Sequence, residues 1–228
     1  MDKGHLSRDM DIIAELEPEE RAALCRRSLQ KAYSKGAIIT SPGDTGHDVY
    51  YVVRGSVKIY NLSACGREIT YRLCGPGSFF GIAEIFSDEE RGVFAEATQQ
   101  TEILCIDRRD FEQLVQANPA VAFSVIRILG SRIRQAHRAI KGFAFSDARS
   151  RLAQLLVKLA QIDGTEHPDG AITLKNRFTH QEMANMIGAI RQTVTEILND
   201  FKRDGYIRSG RGQITIVDSA GLERQIIE

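Results

Sequence analysis

Arg191 and Gln192 are adjacent, and Thr195 and Glu196 follow one helical turn later. A helix over this stretch, AIRQTVTEIL, turns those four polar side chains to one side and Val194, Ile197 and Leu198 to the other. Arginine can clasp guanine O6 and N7 with two hydrogen bonds, and glutamine can do the same to adenine N6 and N7. A carboxylate at position 196 cannot pair with guanine acceptors or phosphate, but it can accept from cytosine N4. An ordinary solvated helix also has a mixed polar face, so the neighbouring segments must decide what this one does.

Upstream, Thr179 and Glu182 have the T-x-x-E spacing of a capping box, which starts a short helix burying Met183 and Ile187. Gly188 ends it. Ala184 lies four residues before that glycine and Val194 six after, giving a small residue where two helices touch, a turn residue free to adopt positive φ, and an apolar anchor. That combination describes a helix-turn-helix, whose second helix is offered to a DNA major groove. Thr179 and Gln181, at the start of the first helix, are placed to hold phosphate. Downstream, DGYIRSGRGQITIVD reads as strand, glycine-rich turn and strand, a wing with Arg208 and Arg211 near its tip. Lys202 and Arg203 either add to this surface or serve the helix dipole.

The whole chain carries 30 Lys+Arg against 30 Asp+Glu, which excludes a uniformly basic nucleic-acid coat. Any such surface is local, and the segment from Lys175 to Gly212 does carry an excess of about three positive charges. The apolar run from Val121 to Leu129 is interrupted by Ser124 and Arg127, too short for a membrane span, and MDKGHLSRDMD lacks the layout of a secretory signal. These features predict a cytoplasmic protein. Cys25, Cys65, Cys74 and Cys105 are scattered without a CxxC pair, so metal or disulfide frameworks have little support. Cys65 and Cys74, on neighbouring strands of one hairpin, are the pair to expect if the chain senses redox state. Enzymatic motifs such as G-x-S-x-G, H-E-x-x-H and the P-loop do not occur, and no enzyme is expected.

Three segments position these groups in an α+β chain. From Ala32 to Ile106, runs such as VYYVV, SVKIY and EITYRL alternate with glycines at the spacing of a β-roll, the amino-terminal sensing domain of residues 1–117. In residues 118–145, Ile126, Leu129, Ile133, Ala136, Ile140 and Phe143 step by three and four, a heptad seam for a coiled-coil dimer. The alternative is a helix lying on its own domain's core. Residues 146–228 form the winged helix-turn-helix domain, with GTEHPDG as a loop leading to the helix-turn-helix.

This order, together with RGSVKIY, GPGSFFG, NP before the long helix, FSDARSRLAQLL, HPDG and THQEMANMIGAIRQTVTEIL, resembles the Crp/Fnr family of bacterial transcription factors, named for the cyclic-AMP receptor and the fumarate-nitrate regulator. The resemblance implies a homodimer on a palindromic double-stranded DNA operator, contact with RNA polymerase, and a signal sensed in the roll. Cyclic-nucleotide-binding members have an acid for the ribose where this chain has Ile82, Arg-Ser for the phosphate where it has Arg91 and Gly92, and Thr-Ser for the adenine where it has Ala136 and His137. Glu84 is displaced by two. Cyclic AMP is therefore not the expected effector.

What remains is backbone N–H groups around Gly81, Ile82 and Ala83 with one arginine, a set suited to a small anion. FGIAEI followed by Arg91 is similar to the cassette of cyanobacterial nitrogen-control regulators, which sense 2-oxoglutarate, and this implies a 2-oxo acid or related carboxylate. Arg91 could instead pair with Glu84, Glu89 or Glu90 and bind nothing. Haem-bearing members make His47 and His137 candidate axial ligands, with His137 also near the effector in the resemblance. The remaining alternative is a ligand-binding module whose helix-turn-helix contacts protein instead of DNA.

Overall fold

The computed structural model describes Ile13 and residues 16–87, 89–210 and 213–226, with 20, 23, 142–145 and 163 described by their backbone alone. Contact density divides the chain inside its longest helix, between Ile133 and Arg134. Each unit has its own core.

In the first unit, helix α1 (Pro18–Arg27) precedes eight strands: β1 (Leu29–Tyr33), β2 (Ile38–Thr40), β3 (Asp48–Arg54), β4 (Val57–Leu62), β5 (Glu68–Cys74), β6 (Phe79–Phe80), β7 (Phe94–Ala97) and β8 (Thr101–Asp107). A one-turn helix α2 (Ile82–Ile85) lies between β6 and β7. The strands form two four-stranded antiparallel sheets, ordered β1-β8-β3-β6 and β2-β7-β4-β5. Alternating burial explains the pairing: Val52, Val57, Ile59, Cys74, Phe80, Ala95 and Ile103 point inward and fill the roll. The expected roll is present, and α3 (Arg108–Ala117) closes it with Phe111 fully buried.

Helix α4 (Pro119–Phe145) starts at the proline, where a missing N–H costs nothing. Its first turns carry Val121, Val125 and Ile128 into a second apolar cluster with Val49, Phe79, Ile82, Ile85, Ile106 and Phe111. The helix forecast for residues 118–145 is thus shared between the units: its first half belongs to the roll.

In the second unit, α5 (Ala148–Asp163) is capped by the Asp147 carboxylate, which accepts from Ser150 N–H. Then follow β9 (Gly164–Glu166), β10 (Ile172–Leu174), α6 (His180–Ile187), α7 (Arg191–Arg203), β11 (Ile207–Gly210), β12 (Gln213–Ile216) and α8 (Ser219–Glu223). GTEHPDG, read from sequence as a loop, forms β9 and the turn into β10. These two add to the wing hairpin to give a four-stranded sheet, β11-β12-β10-β9. Three-residue strands are too short to show an alternating pattern, which is why the sequence concealed them. Leu152, Leu156, Met183, Ala184, Val194, Leu198 and Phe201 are all at most 1 % exposed in the core of this unit.

Candidate functional site

The capping box forms as the spacing requires: Thr179 Oγ1 accepts from Glu182 N–H at 3.1 Å, and Thr179 N–H donates to Glu182 Oε2 at 2.6 Å. The hydroxyl and the backbone N–H of Thr179, a residue expected to hold phosphate, are therefore both engaged within the cap. Gln181 is exposed and donates to Asn185 Oδ1 at 2.8 Å. Gly188 ends α6 at φ 64°, where a side chain would be strained, and Ala184 is fully buried at the crossing of α6 and α7.

Helix α7 buries Val194, Ile197, Leu198 and Phe201 and exposes Arg191, Gln192, Glu196 and Asn199. Two of the four expected base readers differ from a simple solvated face. Thr195 is half-buried, and its hydroxyl donates to Arg191 O at 3.0 Å and meets His180 Nδ1 at 2.7 Å. With its one proton given to that carbonyl, the hydroxyl accepts from His180, so Nδ1 carries the ring proton. Glu196 Oε1 accepts from Gln192 Nε2 at 3.0 Å. That bond orients the amide: Oε1 and the second N–H stay free, the pair needed to meet adenine N6 and N7.

His180 is a participant the sequence did not mark. Burial, then Lys202 and Arg191, hold its pKa below the ordinary value. Arg177, Thr179, His180, Lys202 and Ser209 rim a cavity of about 410 Å³ floored by Met183, Leu198, Ile207 and Ile214. The cations on that rim give the site the sign a phosphate chain needs. Arg208, on β11, is exposed, while Arg211 lies outside the described residues.

In the roll, Gly81 adopts φ 76°, and a Cβ there would stand 2.6 Å from Arg91 Nη1. Glycine is required on both counts. Arg91 is 3 % exposed. Its Nη1 donates to Gly81 O at 3.0 Å and to Glu84 Oε2 at 2.9 Å, and Nη2 donates to Asp48 O. The guanidinium also lies over the Tyr50 ring, 5.5 Å from its centroid, and Tyr50 stacks on Phe80. Burial, followed by the Asp48 charge, pushes the Tyr50 hydroxyl up to about 12. Among the described residues, buried Arg91 Nε has no hydrogen-bond partner. Ile82 is fully buried in the apolar cluster, so no polar side chain occupies that place, and Ala83 is exposed.

Two family models match the two units: a cyclic nucleotide-binding domain over residues 30–118 and a Crp-like helix-turn-helix domain over residues 150–225. The chain is 31 % identical to the cyclic AMP receptor protein of Thermus thermophilus over 91 % of its length and 93 % of the relative's. It is 32 % identical to the global nitrogen regulator of Nostoc over 86 % of its length and 88 % of the relative's. Among solved structures, a CooA variant from Carboxydothermus hydrogenoformans superposes with a TM-score of 0.80 at 28 % identity, covering 96 % of each chain.

The chain belongs to the Crp/Fnr family. It is a DNA-binding transcriptional regulator of the Crp/Fnr type, with a winged helix-turn-helix and a cyclic-nucleotide-binding-like roll.

Within this Crp/Fnr chain, the expected seam on α4 is largely on the surface: Ile126 is 62 %, Ile133 57 % and Ile140 65 % exposed, and Ala136 is exposed as well. Leu129 departs from the seam by packing partly against the roll's core, and the side chain of Phe143 lies outside the described residues. Phe123, one position off that seam, is a further exposed apolar side chain at 63 %. In the same half of the helix, Arg132 Nη2 donates to Phe79 O at 2.6 Å, tying α4 to the strand that leads into Gly81.

His47 and His137 are both exposed. Among the described residues, no cluster of three His, Cys, Asp or Glu side chains could hold a metal, and no single helix is long and apolar enough to cross a membrane. The cysteine pair is corrected: β5 separates exposed Cys65, in the turn before it, from buried Cys74 at its far end. They share a hairpin but stand at opposite ends of a seven-residue strand, about 20 Å of extended chain.

Proposed function

We propose that this regulator works as a homodimer on a two-fold symmetric operator and that its roll senses a small anionic metabolite at Arg91. The observation that carries the effector reading is the buried guanidinium whose Nε has no partner among the described residues, beside the left-handed turn at Gly81. A carboxylate of the 2-oxo acid class supplies the acceptors that Nε lacks, and in taking Nη1 it displaces Glu84. The nitrogen-regulator likeness supports the same class. Cyclic AMP fits poorly, since a buried isoleucine at position 82 offers nothing to a ribose hydroxyl. No observation favours haem, both histidines being exposed.

Exposed Ile126, Ile133 and Ile140, seven residues apart, support dimerisation, because large apolar side chains along one helix face are costly in water and match the heptad seam of a two-stranded coil. Displacing Glu84 loosens the Gly81 turn, and Arg132 on Phe79 O carries that change to the dimer helix. The protein acts in the cytoplasm, as a regulator and not an enzyme, and meets RNA polymerase at its promoters.

The test is a melting screen of the purified protein with 2-oxoglutarate, related dicarboxylates, cyclic AMP, cyclic GMP and haem. A ligand at 100 times its Kd stabilises the native state by about 2.7 kcal/mol. A shift with a carboxylate in the wild type that vanishes in Arg91→Lys supports the reading. A shift with cyclic AMP alone, or with no anion at all, rejects it.

A further inference from the structure

Ile190 is 58 % exposed at the N-cap of α7, beside Arg191. Its neighbours in the chain do ordinary structural work: Ala189 packs against the core of the unit, and Val194 is fully buried. Among the described residues Ile190 is not part of that core, and it makes no side-chain cap hydrogen bond. N-cap positions favour Ser, Thr, Asp or Asn, whose side chains accept from the first free N–H groups. An isoleucine there forgoes the cap and also places a branched aliphatic group in water. Neither local helix stability nor the core accounts for it.

Its position does account for it. In a helix-turn-helix the amino-terminal end of the second helix meets the base edges, and Ile190, Arg191 and Gln192 are three consecutive exposed residues there. On the major-groove edges of the base pairs the one apolar group that projects into the groove is the 5-methyl of thymine. We infer that Ile190 is a specificity-determining residue that reads a thymine methyl next to the guanine taken by Arg191. The inference rests on α7 reading operator bases. It adds an apolar contact to a set whose other members are all polar, and it predicts a TG or GT step in each half-site.

Deoxyuridine makes the test clean, since it removes the methyl and leaves every hydrogen-bonding group of thymine in place. Operators are first selected from random duplexes with the intact protein, with and without 2-oxoglutarate. Each thymine of the selected half-site is then replaced in turn. One position beside the Arg191 guanine should weaken wild-type binding on the order of four-fold, the worth of one buried methyl-sized group. Ile190→Ala and the cap-competent Ile190→Ser should bind thymine and deoxyuridine duplexes equally, and the serine variant guards against loss through a frayed helix. Equal wild-type affinity for thymine and deoxyuridine at every position overturns the inference, as does an undiminished penalty in both variants. Failure to select any operator removes the base-reading premise and the inference with it, an outcome distinct from a selected operator that ignores the methyl.

Discussion

Arg91 Nη1 stands 2.9 Å from Glu84 Oε2 inside the roll, with the arginine side chain 2 % and the glutamate 18 % exposed. An internal carboxylate thus holds the place that an anionic effector needs. The sequence left open whether Arg91 binds a ligand or pairs with a neighbour; the structure supplies the pair and, among the described residues, leaves Nε without one. The two readings become a competition for a single guanidinium.

Glu84→Gln should shift that competition toward the ligand. The amide still accepts a hydrogen bond but carries no charge, so the pair weakens while the turn keeps its shape. Titration with 2-oxoglutarate, followed by melting temperature, should show an apparent Kd several-fold lower than wild type. An unchanged or higher Kd places the anion elsewhere.

Glu196 should matter to DNA reading through Gln192 rather than through a base of its own. Glu196→Ala frees the Gln192 amide and should cost about 1 kcal/mol at operators carrying the matching adenine, with little change on random DNA. Arg191→Ala should cost about 1 to 3 kcal/mol in specific affinity and relax one base position. Fluorescence anisotropy at fixed salt checks both; equal losses on specific and random duplexes would refute base reading.

His180 ties stability to pH. Its folded pKa is depressed, by burial first and by Lys202 and Arg191 next, so below about pH 6.5 the unfolded chain takes up the proton more readily than the folded one. Its contribution is flat above neutrality, falls as pH drops through 6.5, and levels off below the folded pKa. Urea midpoints measured from pH 7.5 to 5.5 should decline, and His180→Asn should flatten part of that slope. A variant with the full wild-type slope assigns the effect to other groups.

Cysteine chemistry should be confined to the surface. Cys65 is exposed, and its thiol is acidified first by the Ser63 hydroxyl, 3.1 Å away, and then by the Arg67 N–H. Burial pushes the Cys105 thiol up instead. Iodoacetamide on the native protein should mark Cys65 well before Cys74 or Cys105, read by peptide mass spectrometry. Diamide should give no Cys65–Cys74 disulfide within a chain, and its appearance would mean the hairpin is not as described.

The helix-turn-helix was legible because its determinants are local. A capping box spans four residues, the αL turn is one glycine, and the buried face of α7 repeats at helical spacing, so Thr179, Glu182, Gly188 and Val194 announce themselves in a window of about one helical turn each. The roll and the long helix followed from the change of hydrophobic period near Asp107 for the same reason.

What the sequence could not decide were the uses of side chains whose partners lie far along the chain. Arg91 is held by Asp48 O from 43 residues away, and the Thr195 hydroxyl accepts from His180 fifteen residues back. Leu129 sits in a perfect heptad yet packs partly against the roll, since either surface could have claimed the same apolar spacing. Cys65 and Cys74 share a hairpin, but the register of β4 on β5 puts them at opposite ends. Periodicity fixes which face of an element is apolar. Only packing and register decide what that face, or a charged group beside it, meets.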